Sequence, residues 1–187
     1  MIQSLILSIL FHKSSQNPNP IIEKGESKDK NIGSAGLNFI QVGSTLFAII
    51  IFLWNSYRFF HYDNQMNWTY FYFIISASGF AFRLWCFNTL GRFFTFEVTI
   101  RNDHRLVDSG PYSVLIHPSY TGQFIGISGH LLFSGLQSIP IWLMIICSYW
   151  LLIGARIVNE EKALQDKFGD AFIKFKEERW RLFPFVF

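Results

Sequence analysis

The sequence predicts an all-α membrane protein with about four transmembrane helices, the last two forming a helical hairpin, and a cytosolic C-terminal helix. Three observations predict this fold class. Half of the 187 residues are hydrophobic and 22 are phenylalanine, which is more apolar surface than a soluble domain of this size needs. Three long stretches carry no formal charge. The basic residues outside those stretches fall almost entirely on one side of the predicted membrane.

The uncharged stretches set the number of spans, because a transmembrane helix needs about 20 apolar residues. The longest stretch, residues 120–153, would be about 50 Å long as one helix, whereas the hydrocarbon core is about 30 Å thick. Turn residues between Gly135 and Pro140 interrupt this stretch and divide it in two. The predicted spans are residues 37–57, 68–87, 120–136 and 139–155.

The distribution of basic residues gives the orientation of these spans. If both ends of the chain lie on one side, that side receives 15 of the 16 Lys and Arg residues, and Arg58 lies opposite. The positive-inside rule then places both termini, the central loop and the tail of residues 156–187 in the cytosol. Residues 37–187 form one membrane domain in this interpretation.

The first 36 residues are predicted to be an apolar stub followed by a polar linker. Residues 1–11 are apolar but too short for a normal span, which favours an interfacial or frayed segment over a fifth span. The net charge of +3 gives no reason to expect a nucleic-acid partner. Cys86 and Cys147 lie in apolar runs, and no His or Cys residues have metal-ligand spacing, so no disulfide framework and no metal site are predicted.

A short motif at the start of the third span, His117-Pro118-x-Tyr120-x-Gly122, places an imidazole at a helix start. Pro118 fixes its own φ and biases His117 toward an extended conformation. On its own the motif is also typical of an ordinary helix N-terminus.

Three charged residues, Arg156, Glu160 and Glu161, follow the last span. Arg156 and Glu160 are four residues apart, so they share one helix face. An exposed ion pair of this kind is worth less than about 1 kcal/mol. Charged groups this close to hydrocarbon, however, tend to be paired and functional.

Taken in order, these features resemble the isoprenylcysteine carboxyl methyltransferase family and, more loosely, the phospholipid N-methyltransferases. The matching residues are Gly79-x-x-x-Arg83-x-Trp85, Leu90-Gly91, His104-x-Leu106-Val107, Gly110-x-Tyr112, His117-Pro118-x-Tyr120-x-Gly122, Arg156, Glu160-Glu161, Leu164, Phe168-Gly169 and Pro184. The resemblance implies an integral membrane enzyme, usually of the endoplasmic reticulum, that uses S-adenosylmethionine. Its substrates would be prenylated protein C-termini, methylated on the cysteine carboxylate, or another lipid.

The resemblance also implies the site. A carboxylate is already ionised at neutral pH, so its methylation needs orientation and desolvation, not a general base. Arg156 is expected to hold the substrate carboxylate, with Glu160 and Glu161 completing the catalytic group. The residues expected to bind the cofactor are His117, Pro118, Tyr120, Tyr112, Leu106 and Glu160.

The sequence departs from the family pattern at three positions. Ile116 stands where an arginine normally precedes the His-Pro pair, and Phe172 and Phe175 stand where tyrosines usually follow the Phe-Gly pair. Two alternatives therefore stay open. One is a phospholipid N-methyltransferase, in which Glu160 or Glu161 would act as the base that an ammonium substrate needs. The other is a non-catalytic, lipid-binding protein of the same fold.

Overall fold

A computed structural model describes residues 2–16, 46, 49–50, 53–55, 57, 66–94, 105–135 and 138–185. The helices are α1 (Ile2–Ser15), α2 (Met66–Leu90), α3 (Pro118–Phe133), α4 (Ile139–Phe168) and α5 (Asp170–Glu177), with 3₁₀ turns at Gly91–Phe93 and Gly110–Ser113. Across these described ranges the extended pairing is one isolated parallel bridge, between Leu115 and Trp180. The all-α prediction is confirmed for the described part of the chain.

Two of these helices are long and apolar enough to cross a membrane: the segments Trp68–Phe93 and Ile139–Phe168. Large apolar side chains on α4 are exposed, with Met144 63% and Leu151 77% accessible. A helix that is apolar and exposed over most of its surface is expected in lipid. The predicted first span, 37–57, falls mostly outside the described residues. Within it, the Trp54 indole donates to the Ser134 carbonyl (3.0 Å) at the end of α3.

Two differences between the helix bounds and the predicted spans concern the C-terminal ends of α3 and α4. The predicted span 120–136 ends earlier, at Phe133, because Gly135 adopts a positive φ of 77° and turns the chain. The predicted span 139–155 continues as one helix to Phe168. The residues after position 155 are largely strong helix formers such as Ala, Glu, Leu and Lys, so the helix does not stop where the apolar stretch does.

Small residues form the contact between the antiparallel helices α2 and α3. The Ser76 hydroxyl donates to the Gly126 carbonyl at 2.9 Å. A Cβ atom at Gly79 would collide with the main-chain nitrogen of Gly126. A Cβ at Gly122 or Gly129 would also lie within 3.0 Å of the backbone of α2. We call Gly79, Gly122, Gly126 and Gly129 the glycine seam, and it lets two backbones pack directly, as small-xxx-small patterns do in membranes.

Arg83 joins three helices at the end of the bundle where α3 begins. Its side chain is 2% exposed; Nε donates to the Ser14 carbonyl and Nη1 to the Ser119 carbonyl, both at 2.9 Å. The guanidinium also lies over the Phe87 ring, 4.9 Å from its centroid. Buried charge is retained only where it is hydrogen-bonded in this way, and the result fixes the start of α3 relative to α1 and α2.

The N-terminal helix differs from the prediction. The stub was expected to be interfacial or frayed, but α1 buries Leu7 and Phe11, and Phe11 contacts the ring of Phe80. Ser14 lies at the Arg83 end, so Ile2 lies about 18 Å further along the bundle. Ile2 therefore lies toward the end of the bundle opposite to residues 180–181, which pair with the start of α3. Residues 2–11 carry no formal charge, so the positive-inside rule could not place them.

Candidate functional site

The C-terminal segment, residues 178–185, returns to the start of α3. Gly169 (φ 52°) ends α4, and α5 leads the chain back. The Ile116 amide donates to the Trp180 carbonyl at 2.8 Å, and the His117 amide donates to the Arg181 carbonyl at 3.0 Å. This pairing places the end of the chain directly against the His117-Pro118 turn.

A chain of hydrogen bonds joins α3 to α4 at the level of this turn. Arg156 Nε donates to the Tyr120 hydroxyl oxygen at 2.6 Å, and that hydroxyl donates to Glu160 Oε2 at 2.8 Å. Tyr120 is 7% exposed, while the Glu160 side chain is 33% exposed. Hydrogen bonds to charged groups are the short and strong ones, so Tyr120 orients both the guanidinium and the carboxylate.

Glu161 occupies a different environment from its neighbour. Arg181 binds it in a bidentate manner, Nε to Oε1 at 2.8 Å and Nη2 to Oε2 at 3.0 Å. Lys176 Nζ donates to Oε2 at 2.8 Å. Burial alone would raise the pKa of the Glu161 carboxyl, but the hydrogen bonds of its cationic and imidazole partners outweigh burial and lower that pKa to about 2. Glu161 is therefore ionised throughout the physiological pH range.

His117 lies between the two glutamates and is buried. Its Nε2 is 3.2 Å from Glu161 Oε1, and its Nδ1 is 3.8 Å from Glu160 Oε1. An ionised carboxylate can only accept, so Nε2 carries the proton and donates to Glu161. The imidazole is thus held in one orientation beside Tyr120.

Aromatic side chains surround the hydrogen-bonded groups on the bundle side. Tyr120 packs in a buried cluster with Ile157 and Leu182. The Phe124 ring contacts Trp150 at 5.3 Å between centroids. The Tyr149 hydroxyl donates to the Tyr120 carbonyl at 3.2 Å. The polar cluster therefore lies where an apolar, aromatic surface between α3 and α4 ends.

The other expected cofactor residues lie at the start of α3 and in the chain that precedes it. Pro118 is the first residue of α3, and Tyr112 is buried in the 3₁₀ turn, where its carbonyl accepts from Arg179 Nε at 3.0 Å. Leu106 is half-buried in the irregular segment before that turn. The structure thus brings Arg156, Glu160 and Glu161 together with His117 and Tyr120.

The apolar side chains at the three positions that depart from the family pattern pack against neighbouring groups of the protein. Ile116 is buried within the backbone pairing, and Phe172 is fully buried. Arg179 stacks on the Phe175 ring, 4.0 Å from its centroid.

Lys176 and Arg181 are the site residues that sequence reasoning missed. Their pairing with Glu161 depends on the reversal at Gly169, and spacing along the chain carries no signal of it.

Comparison with known proteins gives a consistent result. The model of the isoprenylcysteine carboxyl methyltransferase (ICMT) family matches residues 71–166. Protein-S-isoprenylcysteine O-methyltransferase B of Arabidopsis thaliana is 31% identical over 102 residues, which are 52% of this chain and 50% of that protein. The protein-S-isoprenylcysteine O-methyltransferase of Schizosaccharomyces pombe is 32% identical over 77 residues, 41% of this chain and 31% of the relative. The chain thus spans about half or less of the length of these relatives.

A solved structure shares the fold. The eukaryotic intramembrane Ras methyltransferase ICMT superposes with a TM-score of 0.62 at 22% identity, covering 78% of this chain and 53% of that one. The family match extends over slightly more than half of the 187 residues and includes both the His117-Pro118 turn and the Arg156–Glu161 segment. This chain belongs to the isoprenylcysteine carboxyl methyltransferase family.

Proposed function

We propose that this chain transfers a methyl group from S-adenosylmethionine to the carboxylate of a prenylated C-terminal cysteine. The observation that carries the proposal is the Arg156–Tyr120–Glu160 chain of hydrogen bonds, located where the aromatic surface between α3 and α4 ends. A guanidinium held in one orientation matches a carboxylate, and the apolar surface beside it suits a prenyl chain. The names of the relatives favour the same substrate.

The residues at the turn fit the cofactor. Its amino acid part needs a carboxylate for the ammonium group, and Glu160 offers one that is a third exposed. Its sulfonium needs aromatic faces, which Tyr120 and Tyr112 supply, with Leu106 and Pro118 providing apolar contact. S-adenosylmethionine supplies the electrophilic methyl group when bound.

The residues of the chain supply orientation and the exclusion of water. Arg156 binds the substrate carboxylate, and Tyr120 with Glu160 keeps the guanidinium in place. The aromatic side chains around Tyr120 remove water from the attacking oxygen, which strengthens a weak nucleophile. No proton has to be removed, because the carboxylate is ionised at neutral pH.

The state of Glu161 restricts the choice of base for methylation of a lipid amine. An ammonium must lose a proton before it attacks, and that step needs a base with a pKa near the working pH. The pKa of Glu161 is lowered to about 2 by hydrogen bonds that outweigh its burial. Such a carboxylate accepts a proton poorly, so in the N-methylation alternative the base role falls to Glu160.

The proposed membrane arrangement rests on the long apolar stretches and on the distribution of basic residues. We infer four spans across the chain, at 37–57 and in helices α2, α3 and α4, with α1 packed beside them. The site end bears the basic residues, so the positive-inside rule assigns it to the cytosol. The endoplasmic reticulum is the membrane that the resemblance implies.

A methyl-transfer assay tests this function. Membranes that contain the chain are incubated with methyl-labelled S-adenosylmethionine and a farnesylated cysteine analogue. We expect label in the analogue that mild alkali releases, as from a carboxyl methyl ester. Alkali-stable label in lipid would instead establish N-methylation, and absence of label in folded protein would establish a non-catalytic member of the fold.

Removing the Tyr120 hydroxyl tests the hydrogen bonds that join Arg156 to Glu160. We expect Tyr120→Phe to lower kcat about 10- to 100-fold, because a hydrogen bond to a charged group is worth about 1.5–3 kcal/mol. The ring stays, so packing against Ile157 and Leu182 should be kept. Tyr70→Phe, at an exposed position on α2, is the control. An unchanged kcat in Tyr120→Phe would exclude this tyrosine from the orientation of Arg156.

A further inference from the structure

The two adjacent glutamates have different partners, and this difference separates their roles. We propose that Glu161, together with Lys176 and Arg181, is a positioning group that holds the C-terminal segment against the His117-Pro118 turn. We call these three residues the Glu161 clamp. The clamp does not touch the reacting atoms. The role rests on the proposed function, because the turn is the part of the site assigned to the cofactor.

Both oxygens of Glu161 are already engaged by groups of the protein. Arg181 contacts the two oxygens together, and Lys176 donates to Oε2. His117 Nε2 lies 3.2 Å from Oε1. The Glu161 side chain is 9% exposed. A carboxylate with four such contacts and little exposure has no lone pair directed at a substrate or cofactor.

The partners of Glu161 come from two separate segments, which is what a clamp requires. His117 belongs to the turn before α3, whereas Lys176 and Arg181 belong to α5 and the C-terminal segment. Arg181 acts twice: its guanidinium binds Glu161, and its carbonyl accepts from the His117 amide. Loss of the ion pair therefore acts on the backbone that positions His117.

Glu160 contrasts with this arrangement. Its carboxylate accepts from the Tyr120 hydroxyl and is 33% exposed. We accordingly assign Glu160 to direct contact with cofactor or substrate, and Glu161 to the geometry of the turn. Changes to the clamp should weaken cofactor binding through the geometry of the turn, whereas a change to Arg156 should act on the chemical step.

Two measurements on the full-length, detergent-solubilised protein test the clamp. The first is the rate at which glutamyl endopeptidase cleaves after Glu177 or Glu178, which lie between the two clamp cations Lys176 and Arg181. The second is the KM for S-adenosylmethionine beside kcat. The variants are Glu161→Gln, Arg181→Gln, Arg181→Lys and the double variant Glu161→Gln/Arg181→Gln. Lys174→Gln, an exposed cation on α5, is the matched control.

The clamp predicts a specific pattern. Glu161→Gln and Arg181→Gln should each raise the cleavage rate and the KM about tenfold, because each loses hydrogen bonds to a charged group, with kcat within about threefold of wild type. The cleavage rate and the KM of the double variant should lie within about twofold of those of the more strongly affected single variant. The reason is that the two single variants remove the same interaction. Arg181→Lys should lie between Arg181→Gln and wild type, and Lys174→Gln should match wild type.

Two results would overturn the clamp. One is cleavage and KM in Glu161→Gln equal to those of Lys174→Gln. The other is a loss of kcat in Glu161→Gln with unchanged KM and cleavage, which would place Glu161 at the reacting atoms. If wild-type protein transfers no methyl group, the proposed function fails, and the cleavage rates alone then decide whether the clamp exists.

Discussion

Replacing Arg156 with alanine is expected to lower kcat about 10²-fold, the size of loss that misplacement of a reacting group can cause. Arg156 is half-buried at the end of the apolar part of α4, and its Nε is held by Tyr120. Without the guanidinium, the substrate carboxylate loses the group that orients it toward the methyl donor. The measurement is kcat for transfer to a farnesylated cysteine analogue.

Two further variants make the Arg156 result specific. Arg156→Lys keeps the charge but loses the planar fork, so its kcat should lie between wild type and Arg156→Ala. Lys162→Ala, at an exposed position on the same helix, should have wild-type kcat. If Arg156→Ala retained wild-type turnover, the carboxylate would have to bind elsewhere.

The glycine seam between α2 and α3 gives the largest expected effect on stability. Gly79→Ala places a methyl group against the main-chain nitrogen of Gly126. Backbone atoms cannot rotate away as a side chain would, so the two helices must separate. We expect a loss of about 1–3 kcal/mol in the free energy of unfolding, seen as a lower midpoint of thermal unfolding in detergent.

Gly154→Ala is the matched control for the seam, since a Cβ at this helical position would meet no atom of another described segment within 4 Å. It should leave stability unchanged or raise it by about 0.5–1 kcal/mol, the usual gain of alanine over glycine within a helix. Equal midpoints for the Gly79→Ala and Gly154→Ala proteins would show that α2 and α3 are not in direct backbone contact.

Patterns along the chain were sufficient to predict the helical class and to select candidate site residues that lie together in the structure. The uncharged stretches predicted α2 and α4. The turn residues that begin at Gly135 predicted the end of α3 to within a few residues. The four-residue spacing of Arg156 and Glu160 placed both on one helix face, as the shared contact with Tyr120 requires. These features are local, so they are visible without knowledge of the tertiary structure.

Other features depend on contacts between distant segments. Arg181 reaches Glu161 only because the chain reverses at Gly169, and Ser14 reaches Arg83 across 69 positions. Glu160 and Glu161 are adjacent in sequence and looked equivalent, yet they project from different faces of α4 and meet different partners. The orientation of α1 likewise depends on packing, since its first residues carry no formal charge.

The most direct test uses membranes with equal amounts of wild-type or Arg156→Ala protein, incubated with methyl-labelled S-adenosylmethionine and a farnesylated cysteine analogue. The quantity compared is the labelled methanol that alkali releases from the methylated analogue. A carboxyl methyltransferase whose site is the Arg156–Tyr120–Glu160 cluster should release labelled methanol from the wild-type product. The Arg156→Ala product should release about a hundredfold less, because the carboxylate is no longer oriented. Equal release from both proteins would exclude Arg156 from the site. No release from folded wild-type protein would exclude carboxyl methylation of this substrate.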